Sequence, residues 1–508
     1  MANSAPTPPP TQPSPDTTRS LRHSIYAILI AISVGQMTGD ILAVNALDRV
    51  GLEKSLVERE VKKRKEELAA VGQPIDEAQL AAEALAKVRQ QRPFLSGNDR
   101  SRWCTVRSLV ELGTFEIDEI TLQPGWDTID MVQHVGWDGK KHLYSSKPPL
   151  LATLMAGEYW LIHKITGATL GTHPFEIGRF MIITLNVLPM IVYFLILARL
   201  AERWGTTDWG RIMLMATATC GTFLTLFAVS INNHLHGAVC AVILLAAAIA
   251  IWYDGRRNAW LFAVAGFFGA LLVACELPAL SLFTAVTVPL LWKAPKQMLI
   301  AYLPAAAIVF AASFGTNYLA HGTLRPAYSF RSDTNPEKNW YQFEFEKGGK
   351  IRQSYWSNPG GIDKGEPSRG AYIFHALIGH HGVFSLTPMW LLSIIGLGQM
   401  LANRRARELA LVIIAVSLAC MTFYLFPFKD IDRNYGGMAS GFRWTFWMTP
   451  LWLVAFLPAA DWLSDRKWGR GLTLVLLVFS VLSVAYPWQP WKLPWIADFM
   501  VHFGWAKF

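Results

Sequence analysis

The sequence predicts an all-α integral membrane protein, a multi-span bundle of about eleven transmembrane helices within a range of about ten to thirteen. Three observations predict it. Of 508 residues, 52% are hydrophobic and only 16% charged, against about 25% charged in a soluble domain. The deficit is concentrated in apolar runs of about 20 residues, the length that crosses a hydrocarbon core. Many of the 21 tryptophans stand at the ends of these runs, where amphipathic rings favour the membrane interface.

Residues 1–20 are rich in Pro, Ser and Thr and read as a disordered cytoplasmic tail. Residues 21–47 hold the first transmembrane helix, apolar over 24–46. A signal-peptide reading is set aside because the stretch is long and no Ala-x-Ala site follows it. An uncleaved helix puts the chain in a cell membrane, inner or plasma, as a multi-pass protein. Residues 48–176 form a large extracytoplasmic loop. Within it, 52–92 read as a charged helical hairpin broken at Pro74, and 97–165 as a juxtamembrane segment. Residues 177–319 carry spans at 177–198, 212–231, 235–253, 259–275, 277–292 and 298–319. A second extracytoplasmic loop covers 320–382. Residues 383–508 carry the C-terminal spans at 383–401, 408–427, 442–463 and 471–487.

Orientation follows from the charges of the short loops. Arg199, Arg203 and Arg211, then Arg256 and Arg257, then Lys293 and Lys296, then Arg404, Arg405 and Arg407, then Arg466, Lys467 and Arg470 make every second loop basic, and basic loops stay cytoplasmic, as does the N-terminus with Arg19 and Arg22. The apolar segment 149–165 then begins and ends outside. With Glu158, His163 and Lys164 it suits a helix lying along the interface. The same loops account for much of the formal charge of +9, so that charge is no sign of a nucleic-acid partner. Four of the five cysteines, Cys220, Cys240, Cys275 and Cys420, lie in apolar runs, and Cys104 lies in a polar loop. Neither a disulfide framework nor a zinc site is indicated.

The first loop carries the chemistry. Asn98-Asp99-Arg100-Ser101-Arg102-Trp103 opens it after the hairpin, and 103–112 read as a short amphipathic helix ending at Gly113. Asp118, Asp127 and Asp130 follow, then Tyr144-Ser145-Ser146-Lys147-Pro148-Pro149-Leu150. Proline suits the first turn of a helix, where its missing N–H costs nothing. The free amides and positive dipole end of the 149–165 helix, beside the Lys147 ammonium, make a phosphate site at head-group depth. A snorkelling interfacial lysine is the simpler reading of Lys147.

Asp-x-x-Arg early in the first outer loop, with Lys-Pro-Pro-Leu opening a later apolar segment, resembles the polytopic glycosyltransferases of the GT-C fold. The closest branch contains the lipid A aminoarabinose transferases and the protein O-mannosyltransferases. There the loop begins with an Asp-Glu-x-Arg-Tyr-like motif and ends in Glu/Ser-Lys-Pro-Pro-Leu before a Tyr/Trp-rich helix. This chain has Asp99, Arg102 and Trp103, then Lys147-Pro148-Pro149-Leu150, then Tyr159-Trp160. The resemblance covers residues 97–163; the C-terminal third matches only in general character.

The resemblance implies a sugar donor on a polyprenyl phosphate and an extracytoplasmic site. It implies Asp99 as general base and Lys147, helped by Arg102, as holder of the leaving phosphate. Direct transfer to a lipid, glycan or protein acceptor would invert the anomeric centre. Two departures stand out. Ser146 replaces the acid that often precedes Lys-Pro-Pro, a role open to Asp118, Asp127, Asp130 or Glu158. Arg100 replaces the acid after Asp99. No cofactor is assigned, and a divalent metal stays open. The competing reading is a transporter or flippase for a lipid-linked saccharide, which would call for inverted repeats and mid-membrane charges.

Other polar residues are placed near outer ends of spans. Asn233 and His234, in Asn232-Asn233-His234, and Glu276, in Cys275-Glu276-Leu277-Pro278, are candidate cavity-lining groups, as is Tyr144. Arg443, near Arg433, is a candidate phosphate ligand. Tyr328, Phe330, Trp340, Tyr341, Phe343, Phe345, Tyr355 and Trp356 crowd the second loop, either as sugar- or lipid-facing surfaces or as the packing of a small β-like subdomain. Gly379-His380-His381-Gly382 offers no third clear metal ligand, and Asp430-Ile431-Asp432 lacks the soluble α/β domain in which an Asp-x-Asp metal motif normally sits.

Overall fold

The computed structural model describes residues 15–44, 49–70, 72–74, 76–88, 94–123, 125–331, 335, 338–427 and 432–505. Residues 1–14 of the N-terminal tail, and Asp430 of the Asp-x-Asp pair, lie outside the described residues.

The chain is helical through most of its length. Helix α1 (Pro15–Val44) is followed by α2 (Arg49–Ala70) and α3 (Glu77–Val88), two helices separated around Pro74. Then come α4 (Gly97–Glu111), the one-turn α5 (Asp118–Leu122), a hairpin of β1 (Met131–Val135) and β2 (Lys141–Ser145), and α6 (Pro149–Thr166). Apolar helices follow as α7 (Pro174–Trp204), α8 (Asp208–Val229), α9 (Asn233–Trp252), α10 (Ala259–Cys275), α11 (Leu277–Lys293) and α12 (Pro295–His321). A second small hairpin, β3 (Glu344–Lys347) and β4 (Lys350–Gln353), and α13 (Arg369–Leu377) precede α14 (Trp390–Ala402), α15 (Arg407–Leu425), α16 (Arg443–Ser464), α17 (Lys467–Ala485) and α18 (Trp495–His502).

Eight of the described helices are long and apolar enough to cross a membrane: the part of α1 over Thr17–Ala43, and α7, α8, α9, α12, α15, α16 and α17. Helices α10, α11 and α14 are apolar but shorter. Helix α6 is in neither group. Glu158, His163 and Lys164 interrupt its apolar run, and it packs instead on α4 and α12.

The helices approach closely where glycine permits. A Cβ on Gly396 of α14 would collide with the carbonyl oxygen of Ala455 in α16, and one on Gly266 of α10 with that of Tyr302 in α12. Small residues at helix contacts are what association in lipid calls for, because apolar burial gives helices no net drive to pair there. At one end of the bundle Arg22 bonds both Glu202, through Nε at 2.6 Å, and Asp208, while the Tyr26 hydroxyl donates to Glu202 at 2.9 Å. Asp461 accepts from the Thr206 and Thr207 amides at 2.8 and 3.0 Å. These polar ties join α1, α7, α8 and α16.

The two long connections fold onto each other. The Gln133 amide donates to the Trp340 carbonyl at 2.9 Å. The rings of Phe330, Trp340, His134 and Tyr144 form a column with centroid spacings of 3.8, 4.2 and 4.1 Å. His134 Nε2 meets His321 Nδ1 at 3.0 Å, tying the column to the end of α12. Much of the aromatic crowding in the second connection is therefore spent on packing it against the first.

Candidate functional site

The site is organised by α4. Ser96 caps it, accepting from the Asp99 amide at 3.1 Å, so the helix starts six residues earlier than the 103–112 expected (97 against 103). It is also not amphipathic: every residue from Asp99 to Ser108 is buried, three arginines included. The helix is covered by α6 and by α5 and β2 of the first long connection, and each arginine has local partners. Arg100 donates to the Asp127 and Phe94 carbonyls at 3.1 and 3.0 Å. Arg107 bonds Glu111 at 2.8 Å and lies over the Trp126 ring. Arg102 reaches a distant helix. It donates to Asn98 Oδ1 at 2.6 Å and, across the bundle, to Asn233 Oδ1 at 2.9 Å.

That last bond brings in the polar residues of the α9 and α10–α11 junctions. Asn233 Nδ2 donates to the Cys275 carbonyl at 3.0 Å. Beside it, His234 Nδ1 lies 2.5 Å from Glu276 Oε1, off the line of a good hydrogen bond. Asn233, His234 and Glu276, far apart in sequence from the first loop, thus meet Arg102. Burial pushes the Arg102 guanidinium down from its ordinary value, and the carboxylates of Asp99, Asp130 and Glu276 push it back up.

Asp99 sits one turn before Arg102 and is 1% exposed. Its Oδ1 accepts from Trp103 Nε1 at 3.0 Å and from the Ile231 amide at 3.1 Å. Oδ2 has no hydrogen-bond partner among the described residues. Burial raises its pKa to about 7, against the pull of the Ile231 amide and Arg102. A buried carboxylate that titrates near neutrality is a functional-site signal.

Lys147 follows β2, and its side chain is 18% exposed. Pro148 caps α6 and Pro149 takes its first turn. The Lys147 ammonium does not meet Asp99. It pairs with Asp130, Nζ to Oδ1 at 3.0 Å. The β1–β2 register explains this partner. Met131 pairs with Ser145, so the residue before β1 must lie beside the residue after β2, and the Ser146 amide donates to the Asp130 carbonyl at 3.2 Å. Asp130 therefore stands next to the position where the motif lacks an acid. Ser101 of α4 locks it there, donating to the same carbonyl at 2.5 Å.

Arg443, at the start of α16, is buried and reaches the same region. It bonds the Gly436 carbonyl and interacts electrostatically with Asp130, Arg102, Asp363 and Glu276. Lys147 in turn feels Asp130, Arg102 and Arg443. Burial lowers the Lys147 ammonium to about 8, Asp130 opposing the shift. Three cations from three distant segments thus share one buried region with Asp130 among them. Arg102 Nε, Arg443 Nε and Ser146 Oγ have no partner there among the described residues. A narrow cleft lined by Arg102, Tyr144, Lys147, Pro149 and His321 opens beside them.

The other candidates lie outside this cluster. Asp118 accepts from the Leu143 amide at 3.1 Å through both oxygens and faces His142 at 3.3 Å. Asp127 joins α4 through its carbonyl, which Arg100 holds. Glu158 accepts from Thr184 at 2.5 Å, on the side of α6 that faces α7. The Tyr144 hydroxyl donates to Glu116 at 3.3 Å, while its ring forms part of the cleft. For a divalent metal, the described residues offer one grouping: ligand atoms of Glu116, Asp118 and His142 lie within 4.8 Å of one another, at the hairpin and apart from the Lys147–Asp130 pair. His380 and His381 are buried against Glu366 and Tyr435, with His380 Nε2 3.5 Å from Glu366 and His381 Nε2 2.9 Å from the Ala439 carbonyl.

Sequence reasoning named Asp130 as one of four possible acids but did not pair it with Lys147, and it passed over Asp363, which acts electrostatically on Arg443 and accepts from the Tyr355 hydroxyl at 2.8 Å. The Asp138-Gly139 dipeptide was the available signal for the first, since Asp-Gly between short strand-like runs marks a hairpin. Compared with known proteins, the chain matches no family model, no curated protein and no solved structure.

Proposed function

We propose that this chain is a membrane glycosyltransferase that moves a sugar from a polyprenyl-phosphate donor to an acceptor hydroxyl. One observation carries the reading: Arg102, Lys147 and Arg443 converge in a buried region where arginine and serine donors lack acceptors. A phosphate offers the oxygens those donors want, and guanidinium groups bind it through several N–H bonds at once.

The chemistry fits the charge. The acceptor oxygen attacks the anomeric carbon, its bond forms, and the bond from that carbon to the phosphate oxygen breaks. The electron pair leaves with the phosphate, which passes from a singly charged diester to a doubly charged monoester. Cations fixed where that charge develops lower the barrier. The acceptor proton goes to a carboxylate, and Asp99, titrating near 7, suits a general base at neutral pH. One displacement inverts the sugar.

The test is transfer by full-length protein in nanodiscs, given polyprenyl-phosphate sugars with a labelled sugar and a panel of lipid, glycan and protein acceptors. The expected result is a labelled acceptor that depends on Lys147. If the same protein in vesicles moved the lipid-linked sugar across the bilayer and never transferred it, the transporter reading would replace this one.

A further inference from the structure

We infer that Asp130 is a built-in counter-ion of the phosphate pocket, holding Lys147 while the pocket is empty and yielding it when a phosphate enters. The inference rests on the proposed phosphate site and deepens it.

The placement of Asp130 is central. Its carboxylate contacts Lys147 directly and acts electrostatically on Arg102 and Arg443 as well. Asp99, by contrast, offers its Oδ1 to Trp103 and Ile231 and not to Lys147. The backbone of Asp130 is clamped from three sides. Its carbonyl accepts from Ser101 and the Ser146 amide, and its own amide donates to Thr128 Oγ1 at 3.1 Å. Among the described residues, no other hydrogen bond or ion pair ties the side chain besides that to Lys147. The side chain is therefore free to lose its partner without disturbing the chain around it.

The satisfaction of the donors is incomplete. One carboxylate leaves Arg102 Nε, Arg443 Nε and Ser146 Oγ unpaired, and buried unpaired donors are costly. A phosphate has more oxygens and, as product, one more charge than Asp130. It can take Lys147 and the orphaned donors together. Asp130 keeps Lys147 aligned and the pocket from collapsing while no phosphate is present. It also repels the product dianion, which favours release.

A merely structural Asp130 and a competing Asp130 predict opposite signs. If it only positions Lys147, its loss weakens phosphate binding. If it competes, its loss tightens it. Full-length protein in nanodiscs is titrated with polyprenyl monophosphate by calorimetry at pH 6, with inorganic phosphate and phosphatidylglycerol-containing discs as separate arms. Asp130→Asn is expected to bind polyprenyl monophosphate roughly tenfold more tightly than the wild type, while Asp130→Glu, which keeps the charge, binds as the wild type does. A gain for the lipid phosphate and inorganic phosphate alike assigns the competition to the phosphate group; a gain only in phosphatidylglycerol discs assigns it to bulk lipid and overturns the inference. Unchanged or weaker binding by Asp130→Asn also overturns it. Lys147→Ala separates the two readings: if it binds phosphate as well as the wild type, the phosphate site itself is wrong, whatever Asp130 does. Thermal unfolding of each variant checks that the pocket is intact, and Asp130→Ser repeats the measurement should Asp130→Asn fold poorly.

Discussion

Replacing Asp99 by asparagine separates a catalytic carboxylate from a structural one. The Asp99 Oδ1 atom accepts from Trp103 Nε1 and the Ile231 amide, and an asparagine oxygen can accept both. Only Oδ2, already without a partner, becomes an amide, and a buried unsatisfied N–H costs about 1–3 kcal/mol. Asp99→Ala instead strands two N–H groups and costs about 2–6 kcal/mol on the same basis. A lost general base lowers the rate by about 10²–10⁴, or about 2.7–5.4 kcal/mol of barrier. Asp99→Asn is therefore expected to fold, by thermal unfolding in nanodiscs, yet to lose at least about a hundredfold in transfer rate. The pH dependence gives a second readout. Burial raises the folded pKa to about 7 from an ordinary 3.8. The base works only when ionised, so wild-type transfer should fall as pH drops through about 7. For stability the sign is opposite. Between 3.8 and about 7 the folded chain holds a proton that the unfolded chain has lost, so this group's contribution favours folding at low pH and declines as pH rises. Asp99→Asn should flatten that slope. Transfer by Asp99→Asn within threefold of the wild type, with an unchanged pH profile, would refute the base assignment.

Three further outcomes follow from the packing. Lys147→Ala leaves the Asp130 carboxylate without its 3.0 Å partner and should cost about 3 kcal/mol of stability, read by thermal unfolding; the double variant Lys147→Met with Asp130→Leu should recover much of it. Gly396→Ala should lower the unfolding temperature sharply, because its Cβ meets the Ala455 carbonyl and must push α14 away from α16; a wild-type transition would show that these helices do not touch there. Trp340→Ala removes the partly buried ring between Phe330 and His134, a loss smaller than the roughly 3–5 kcal/mol of a fully buried aromatic, and should speed hydrogen exchange at 338–357 while leaving α15 and α17 protected.

The long apolar spans were legible because a run of about 20 residues has few other uses. Every one of them corresponds to an apolar helix, though α10, α11 and α14 are short. The convergence on Arg102 was legible in part. Asn233, His234 and Glu276 could be singled out as polar residues at span ends, but their meeting with α4 depends on how the helices pack. Helix α4 itself misled. The expected amphipathic helix over 103–112 is a helix from Gly97 buried on every side over Asp99–Ser108, and nothing local announces that burial; the partners of its arginines are backbone carbonyls and side chains from distant segments. The acid beside Lys147 was legible only as one of four candidates, Asp118, Asp127, Asp130 and Glu158. Sequence spacing points to the residue before Lys-Pro-Pro, whereas strand pairing brings in Asp130 from the far side of a hairpin.

Charge balance explains why these groups are together at all. Arg102, Lys147 and Arg443 face Asp130, Asp99 and Glu276, a collection of charges that apolar side chains of equal volume would replace at no loss, and often at a gain, of stability. A protein that needed only to sit in a membrane would have little reason to keep them. Among the described residues Arg102 Nε, Arg443 Nε and Ser146 Oγ are without partners here, and buried unpaired donors are costly. The open side lies where the Lys-Pro-Pro turn, the start of α16 and the middle of α4 meet. A pocket that gathers three cations and leaves donors unpaired around Asp130 is suited to an anion that arrives, gains charge and leaves, and the phosphate leaving group proposed above does all three.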